Sequence, residues 1–241
     1  MQRPRRPHLL SVHDVAVAFA HGTRLQAGRV GAGRGLGHAE RLENDAGIDQ
    51  RARPRLVKGH PLARKIAHRS DIRFVAADEK TVLNYQIESF DPMLGMATIW
   101  VDVPAVEGGA RQDIWMYYGN EKAPVASNGQ ITFDPNYTLV YHFDGAAGAP
   151  SRDSTAYTNH AQTAPAGVVD GVSGRAAQFV GAAPLILPAS PSLAVPAAGA
   201  FSFSAWVRAD QPQGQQLVYA RRDAANSFLI GLDQGVPFVE I

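Results

Sequence analysis

The sequence predicts an all-β protein with two β-rich domains behind an unstructured basic N-terminal segment. After residue 70, short segments of alternating apolar and polar residues recur, separated by Gly, Pro, Asn and Asp, and helical periodicity is missing. This pattern is typical of a sandwich or jelly roll. The same region holds 19 of the 20 aromatic residues, so the large side chains that could form a core lie in the region that shows the strand pattern.

Residues 1–69 carry 14 Lys and Arg against 5 Asp and Glu, whereas the rest of the chain carries 9 against 17. Five glycines within Arg24–Gly37 disfavour a helix or strand, so we predict an unstructured basic segment. Translation of a GC-rich gene in the wrong frame also gives a sequence rich in Arg, Gly, Ala, His and Pro and without periodicity. We favour this interpretation of residues 1–69. A basic arm that binds nucleic acid is an alternative.

A β-rich domain is predicted over residues 70–124. Its strands are Asp71–Val75, Val82–Glu88, Ala97–Val103 and Asp113–Tyr118. Alternation directs Ile72, Phe74, Leu83 and Tyr85 inward, whereas Trp100 falls on the outer face of its strand and indicates a covering layer. Asp113–Tyr118 is large and apolar on both faces, which predicts a central strand. The polar, turn-rich residues 125–136 are predicted to be a linker.

A second β-rich domain is predicted over residues 137–241. Its strands are Thr138–Phe143, Leu185–Leu187, Ala200–Val207, Gln216–Ala220, Ser227–Leu232 and Pro237–Ile241. Phe203, Ala205 and Val207 alternate with Ser202, Ser204 and Trp206, so one face of that strand is predicted to be buried. The last strand reaches Ile241 without a turn after it, and we therefore expect a partial domain.

Several segments carry a family resemblance. Ser70–Phe74, Leu83–Glu88, Ala97–Val101 and Ile114–Asn120 resemble a β-rich bacterial domain of unknown function. Leu139–Phe143, Asp153–Thr155, Asn159–Ala161, Gly174–Phe179 and Phe203–Val207 resemble a laminin-G-like, concanavalin-like jelly roll. The combination is similar to the extracytoplasmic N-terminal part of MotA/TolQ/ExbB-type proton channel proteins. The resemblance implies a recognition module on the periplasmic side of a Gram-negative envelope, in a full-length protein associated with the membrane.

No catalytic residues are predicted. A glycoside hydrolase needs two carboxylates that flank the scissile bond, and the glutamates after residue 70 are scattered along the chain. Asp153, Ser154 and His160 lie within eight residues on one turn-rich loop without a nucleophile elbow. We therefore interpret Asp153 and Ser154 as turn residues that bond backbone amides. A secreted glycan-active enzyme module stays an alternative function.

Two candidate binding sites are considered. Trp100 and Trp115 are candidate ligand-binding residues, as an aromatic platform for carbohydrate, although core packing is the preferred interpretation. Asp144, Asp153 and Asp170 are candidate metal ligands, and laminin-G-like folds often hold calcium, which takes several oxygen ligands. Apart from calcium no cofactor is predicted.

Composition adds two limits. The chain has no cysteine, so it has neither disulfides nor a thiolate nucleophile, and no run of 18 apolar residues predicts a transmembrane helix. We predict a noncatalytic recognition module for a glycan or another envelope component, without a nucleic-acid partner.

Overall fold

The fold is described from a computed structural model. It describes residues 9–18, 30–32, 39–43, 72–91, 96–103, 113–118, 120, 122–172, 174–181, 183–194, 201–211, 213–222 and 227–241. The chain divides into two compact units, which we call the central unit (residues 21–135) and the C-terminal unit (residues 1–20 with 136–241). Both are built from antiparallel sheets, so the predicted all-β class is confirmed.

The central unit holds one five-stranded and one two-stranded sheet. Its elements are β2 (Val30–Ala32), β3 (Ala39–Glu43), β4 (Arg73–Ala76), β5 (Val82–Leu83), β6 (Tyr85–Asp91), β7 (Met96–Val101), β8 (Asp113–Tyr117) and α1 (Gly129–Thr132). The larger sheet has the order β2-β3-β8-β4-β5, and β6 pairs with β7. The central position of β8 confirms the prediction from its two apolar faces.

The core of the central unit follows the predicted alternation. Its buried members are Ile72, Phe74, Leu83, Tyr85, Ile114, Met116 and Tyr118. The rings of Phe74 and Tyr85 meet edge to face, with centroids 5.3 Å apart. The Tyr85 hydroxyl donates to the carbonyl of Ile72, so the one polar atom of this buried ring is satisfied.

Residues 124–133, most of them in the predicted linker, pack onto the central unit. The backbone N–H of Asn128 donates to the Tyr85 carbonyl at 2.8 Å, and the hydroxyl of Ser127 accepts from the Ile87 N–H. Asn128 also caps α1 by accepting the N–H of Gln130. Phe133 is buried after the helix, so an apolar anchor explains why this polar-looking segment docks.

The C-terminal unit also contains two sheets. Its elements are β1 (Leu9–Ala18), β9 (Tyr137–Tyr141), β10 (Gly167–Asp170), β11 (Arg175–Val180), a 3-10 helix (Pro191–Leu193), β12 (Ser202–Ala209), β13 (Gln215–Arg222), β14 (Ser227–Asp233) and β15 (Val236–Glu240). One sheet has the order β10-β11-β1-β12 with β9 also paired to β1, and the other has the order β13-β14-β15. Gln234 and Gly235, both with positive φ, form the two-residue turn between β14 and β15.

The core of the C-terminal unit lies under β9, β11 and β12. Leu139, Tyr141, Phe143, Ala177 and Leu193 are buried at its centre. The odd-numbered residues of β12 pack against it together with Val218 of β13, as the alternation predicts. The Phe203 and Tyr219 rings lie 6.1 Å apart and link the two sheets.

Three findings differ from the sequence analysis. Strands β1, β2 and β3 lie within residues 1–69, which were predicted to be unstructured, and the rest of that segment lies outside the described residues. Backbone pairing explains the strand at β1, which lies between β12 on one side and β11 with β9 on the other. Leu185–Leu187 is not a strand, whereas β10 and β11 were not predicted.

None of the helices in the described part of the chain is long and apolar enough to cross a membrane.

Candidate recognition surface

The outer face of β12 carries an exposed tryptophan. Along Ser202–Ala209 the even-numbered side chains are exposed and the odd-numbered ones are partly buried against the core. Trp206 lies in the middle of the exposed row and keeps 54% of its surface accessible. Since a buried indole contributes a few kcal/mol to folding at roughly 25 cal/mol per Å², this side chain leaves much of that stabilisation unused. A large exposed aromatic on a regular strand therefore marks a candidate binding surface.

Polar side chains flank Trp206 on the same face. Ser204 precedes it and Arg208 follows it, each two residues away, and strand geometry places alternate residues about 6.6 Å apart on one side of the sheet. The Nε of Arg208 lies 3.2 Å from Oδ1 of Asp210, just beyond the strand end. Both side chains are exposed, so solvent screens this ion pair and its contribution to stability is small. The ion pair matters for binding because it places guanidinium donors and carboxylate acceptors on the strand that carries the indole.

This arrangement suits a ligand with one apolar face and several hydroxyl groups. An indole binds such a ligand by stacking, while hydroxyls and a guanidinium bond its polar edge. The core packing of Phe203, Ala205 and Val207 fixes the strand underneath, so the exposed row is held on a rigid element. We call Ser204, Trp206, Arg208 and Asp210 the β12 row.

Trp100, a predicted ligand-binding residue, is committed to contacts inside the central unit. Its indole N–H donates to Oε2 of Glu88 at 2.6 Å, and its ring centroid lies 6.5 Å from that of Phe133. Phe133 is thus a member of the covering layer that the outward position of Trp100 predicted. These contacts fit the preferred interpretation of Trp100 as a packed residue.

Trp115, the other predicted platform residue, lies on β8 between β3 and β4 and is partly buried. It belongs to the five-stranded sheet, whereas Trp100 belongs to the β6-β7 pair. The two residues therefore stand on different sheets, and a shared ligand platform made of both stays a prediction.

Asp153, a predicted metal ligand, is the centre of a buried hydrogen-bond cluster. Its Oδ1 accepts from the N–H groups of Val140 and Thr155, each at 3.0 Å. Its Oδ2 accepts from the Thr155 hydroxyl at 2.7 Å and from the N–H of Asn159 at 2.8 Å. Four donors thus occupy both carboxylate oxygens, which is the satisfied state that a buried charge requires. This is the turn role that the sequence analysis preferred for Asp153.

The cluster around Asp153 joins distant parts of the C-terminal unit. The Asn159 side chain donates to the Thr138 carbonyl and to the Ser192 hydroxyl, both at 2.9 Å. The Tyr141 hydroxyl donates to the Asn159 carbonyl, and His160 Nδ1 accepts the N–H of Asp153. Burial raises the pKa of the Tyr141 phenol, and the Asp153 carboxylate adds to the rise.

Asp144 and Asp170, the other predicted metal ligands, do not join that cluster. Asp170 ends β10 on the surface, and Asp144 follows β9 with an exposed side chain whose pKa is nevertheless raised by desolvation. Within the described ranges, no three His, Cys, Asp or Glu side chains form a group that could hold a metal ion.

Sequence reasoning did not single out Trp206 as a ligand residue. The signal was present, since Ser202, Ser204 and Arg208 share its parity and mark that face of β12 as polar. Phe203, Ala205 and Val207 take the buried face, so the indole had to point to the side of the serines.

Comparison with known proteins supports part of the expected family. Residues 68–160 match the family described as a domain of unknown function, DUF2341. The match begins just before β4 and ends at His160, so it contains Asp153 and its four donors. It also extends beyond residue 124, the predicted end of the first domain. No curated protein and no solved structure matches the chain.

Proposed function

We propose that this chain is a noncatalytic recognition module that binds glycan on the extracytoplasmic side of a Gram-negative cell envelope. The observation that carries the proposal is the exposure of Trp206 at the centre of a polar strand face. Aromatic rings beside hydroxyl and guanidinium groups are suited to ligands that combine a C–H face with hydroxyls. The DUF2341 match is compatible with this role but specifies no ligand.

The proposal also covers the setting of the module. By its resemblance to the N-terminal region of MotA/TolQ/ExbB-type proteins, the recognition module belongs to a membrane-associated protein with a proton-channel unit. The laminin-G-like assignment of the C-terminal unit is part of the same proposal. It is supported by two antiparallel sheets that share one core.

We propose that the chain is not a catalyst because two buried acids, Asp153 and Glu88, are engaged in structural hydrogen bonds. Asp153 is held by four donors in the C-terminal unit, and Glu88 accepts the indole N–H of Trp100 in the central unit. A general acid or base must reach its substrate's proton, and both carboxylates are buried. Both acids are therefore assigned to structure.

Isothermal titration with a panel of neutral and acidic oligosaccharides tests the glycan proposal, and a reducing-end assay on the same panel tests the absence of catalysis. We expect saturable binding of at least one oligosaccharide and no release of reducing ends. A panel without any saturable binding contradicts glycan recognition, and steady turnover contradicts the noncatalytic assignment. Spheroplast fractionation of the native host, followed with an antibody to this chain, tests the location; release with the cytosol contradicts it.

A further inference from the structure

The chemistry of the β12 row narrows the class of glycan. The contact between Arg208 Nε and Asp210 Oδ1 uses one of the five guanidinium N–H donors and one of the two carboxylate oxygens. The pair therefore keeps further donors and acceptors side by side. Its formal charges cancel, so the row as a whole presents an apolar ring next to a neutral, strongly polar edge.

We infer that Trp206, Arg208 and Asp210 bind a neutral pyranose, with the sugar ring against the indole and two adjacent hydroxyls on the ion pair. This inference rests on the proposed function and names its ligand class and its site. The distance between alternate strand residues, about 6.6 Å, is comparable with the width of a pyranose and its ring substituents. One hydroxyl accepts from the guanidinium, and its neighbour donates to the carboxylate.

Charge explains the preference for a neutral ligand. A sugar carboxylate near the ion pair is attracted by Arg208 but repelled by Asp210, and Arg208 is already directed toward Asp210. A sugar carboxylate about 4 Å from the Asp210 carboxylate, on the side of the pair away from Arg208, is repelled by roughly 1 kcal/mol in water, which corresponds to about a fivefold loss of affinity. Removal of the Asp210 charge is therefore expected to change the preference between neutral and acidic sugars. Substitution of a residue that only supports the fold would leave that preference unchanged.

The test compares two forms of one oligosaccharide, a hexagalacturonate as the free acid and as its full methyl ester, alongside cellohexaose and mannohexaose. Calorimetry on the wild-type chain is expected to show binding of at least one neutral probe and about fivefold or weaker binding of the free acid relative to the ester. Trp206→Ala is expected to weaken neutral binding by tenfold or more, whereas Trp206→Phe, which keeps a ring, retains part of it. Asp210→Asn is expected to weaken binding of the ester and strengthen that of the free acid.

Leu217→Ala is the matched control, because Leu217 is an exposed apolar residue on the other sheet of the same unit. It should bind every probe as the wild type does, and circular dichroism should show that all variants keep their fold. Equal or tighter binding of the free acid by the wild type overturns the neutral-ligand inference and leaves glycan recognition intact. Unchanged binding by Trp206→Ala contradicts the location of the binding site at Trp206 and leaves glycan recognition intact. No binding of any probe contradicts the proposed function itself.

Discussion

Glu88 and Trp100 form a buried hydrogen bond across the β6-β7 hairpin, with 2.6 Å between Oε2 and the indole nitrogen. Glu88 is the extra residue of a β-bulge, because Ile87 pairs with Ile99 while Ser89 pairs with Thr98. Glu88 is buried beside Trp100, whose ring also contacts Phe133. Oε2 of Glu88 thus satisfies the indole N–H, which would be costly to bury without an acceptor.

Glu88→Ala and Trp100→Phe are each expected to destabilise the chain by about 1–3 kcal/mol, since each leaves a buried polar group without this partner. The double variant should cost less than the sum of the two, with a coupling energy of about 0.5–3 kcal/mol in urea unfolding. Strict additivity of the two changes would show that the hydrogen bond adds nothing to stability.

The alternating pattern of apolar and polar residues was sufficient to predict the core of the central unit. Ile72, Phe74 and Leu83 lie in the core as predicted, because a strand with one buried face leaves no other register. The burial of Glu88 could not be predicted from the local pattern, because it depends on contact with Trp100 of β7, which lies 12 residues further along the chain.

Segments without periodicity were harder to interpret. The residues 125–136 have the composition of a linker, yet the Phe133 ring contacts Trp100 and the backbone N–H of Asn128 donates to the Tyr85 carbonyl. Residues about 30–45 positions earlier in the chain thus anchor this segment. The face of Trp206 was predictable from Ser204 and Arg208, but its exposure was not, since exposure depends on what the rest of the fold lays over that face.

Asp153→Ala is expected to destabilise the C-terminal unit by 3 kcal/mol or more, because four donors lose their shared acceptor and three of them are backbone N–H groups. Asp170→Ala is the control, since Asp170 is exposed at the end of β10, and its effect should stay within about 0.5 kcal/mol. Chemical denaturation followed by tyrosine and tryptophan fluorescence measures both. If the two substitutions lower the free energy of unfolding equally, the hydrogen bonds to Asp153 do not stabilise the C-terminal unit as described.

Gly231 on β14 is predicted to tolerate no side chain. A Cβ at this position would meet the carbonyl oxygen of Gln216 and would come within 2.8 Å of Cε1 of Phe238. Relief requires movement of a paired strand, so Gly231→Ala should cost about 1–3 kcal/mol. At Gly145 a Cβ has nothing within 4 Å, and Gly145→Ala is expected to change the melting temperature little. A Gly231→Ala variant as stable as Gly145→Ala would show that neither the Gln216 carbonyl nor the Phe238 ring lies as close to Gly231 as described.

Asp78 provides a prediction about pH. Its carboxylate accepts from the Thr81 hydroxyl at 2.6 Å and from the N–H groups of Thr81 and Lys80 in the turn between β4 and β5. These bonds, with the Thr81 hydroxyl first, lower the pKa of Asp78 from 3.8 to about 2. A lowered folded-state pKa means that the unfolded chain binds the proton first as the pH falls. The turn therefore keeps this stabilisation above pH 4 and loses it as the pH falls toward about 2.

Thr81→Val removes the hydroxyl and leaves the backbone donors, so the pKa of Asp78 should rise toward its ordinary value without reaching it. Titration of the Asp78 carboxyl carbon by nuclear magnetic resonance, in the wild type and in Thr81→Val, measures the shift directly. Thr163→Val is the control, because it also removes a threonine hydroxyl, here one that bonds Ile186 and Pro184 in the C-terminal unit. If Asp78 titrates near pH 4 in the wild type, the turn does not hold its carboxylate as described. If Thr81→Val leaves a low pKa unchanged, the backbone N–H groups alone set it.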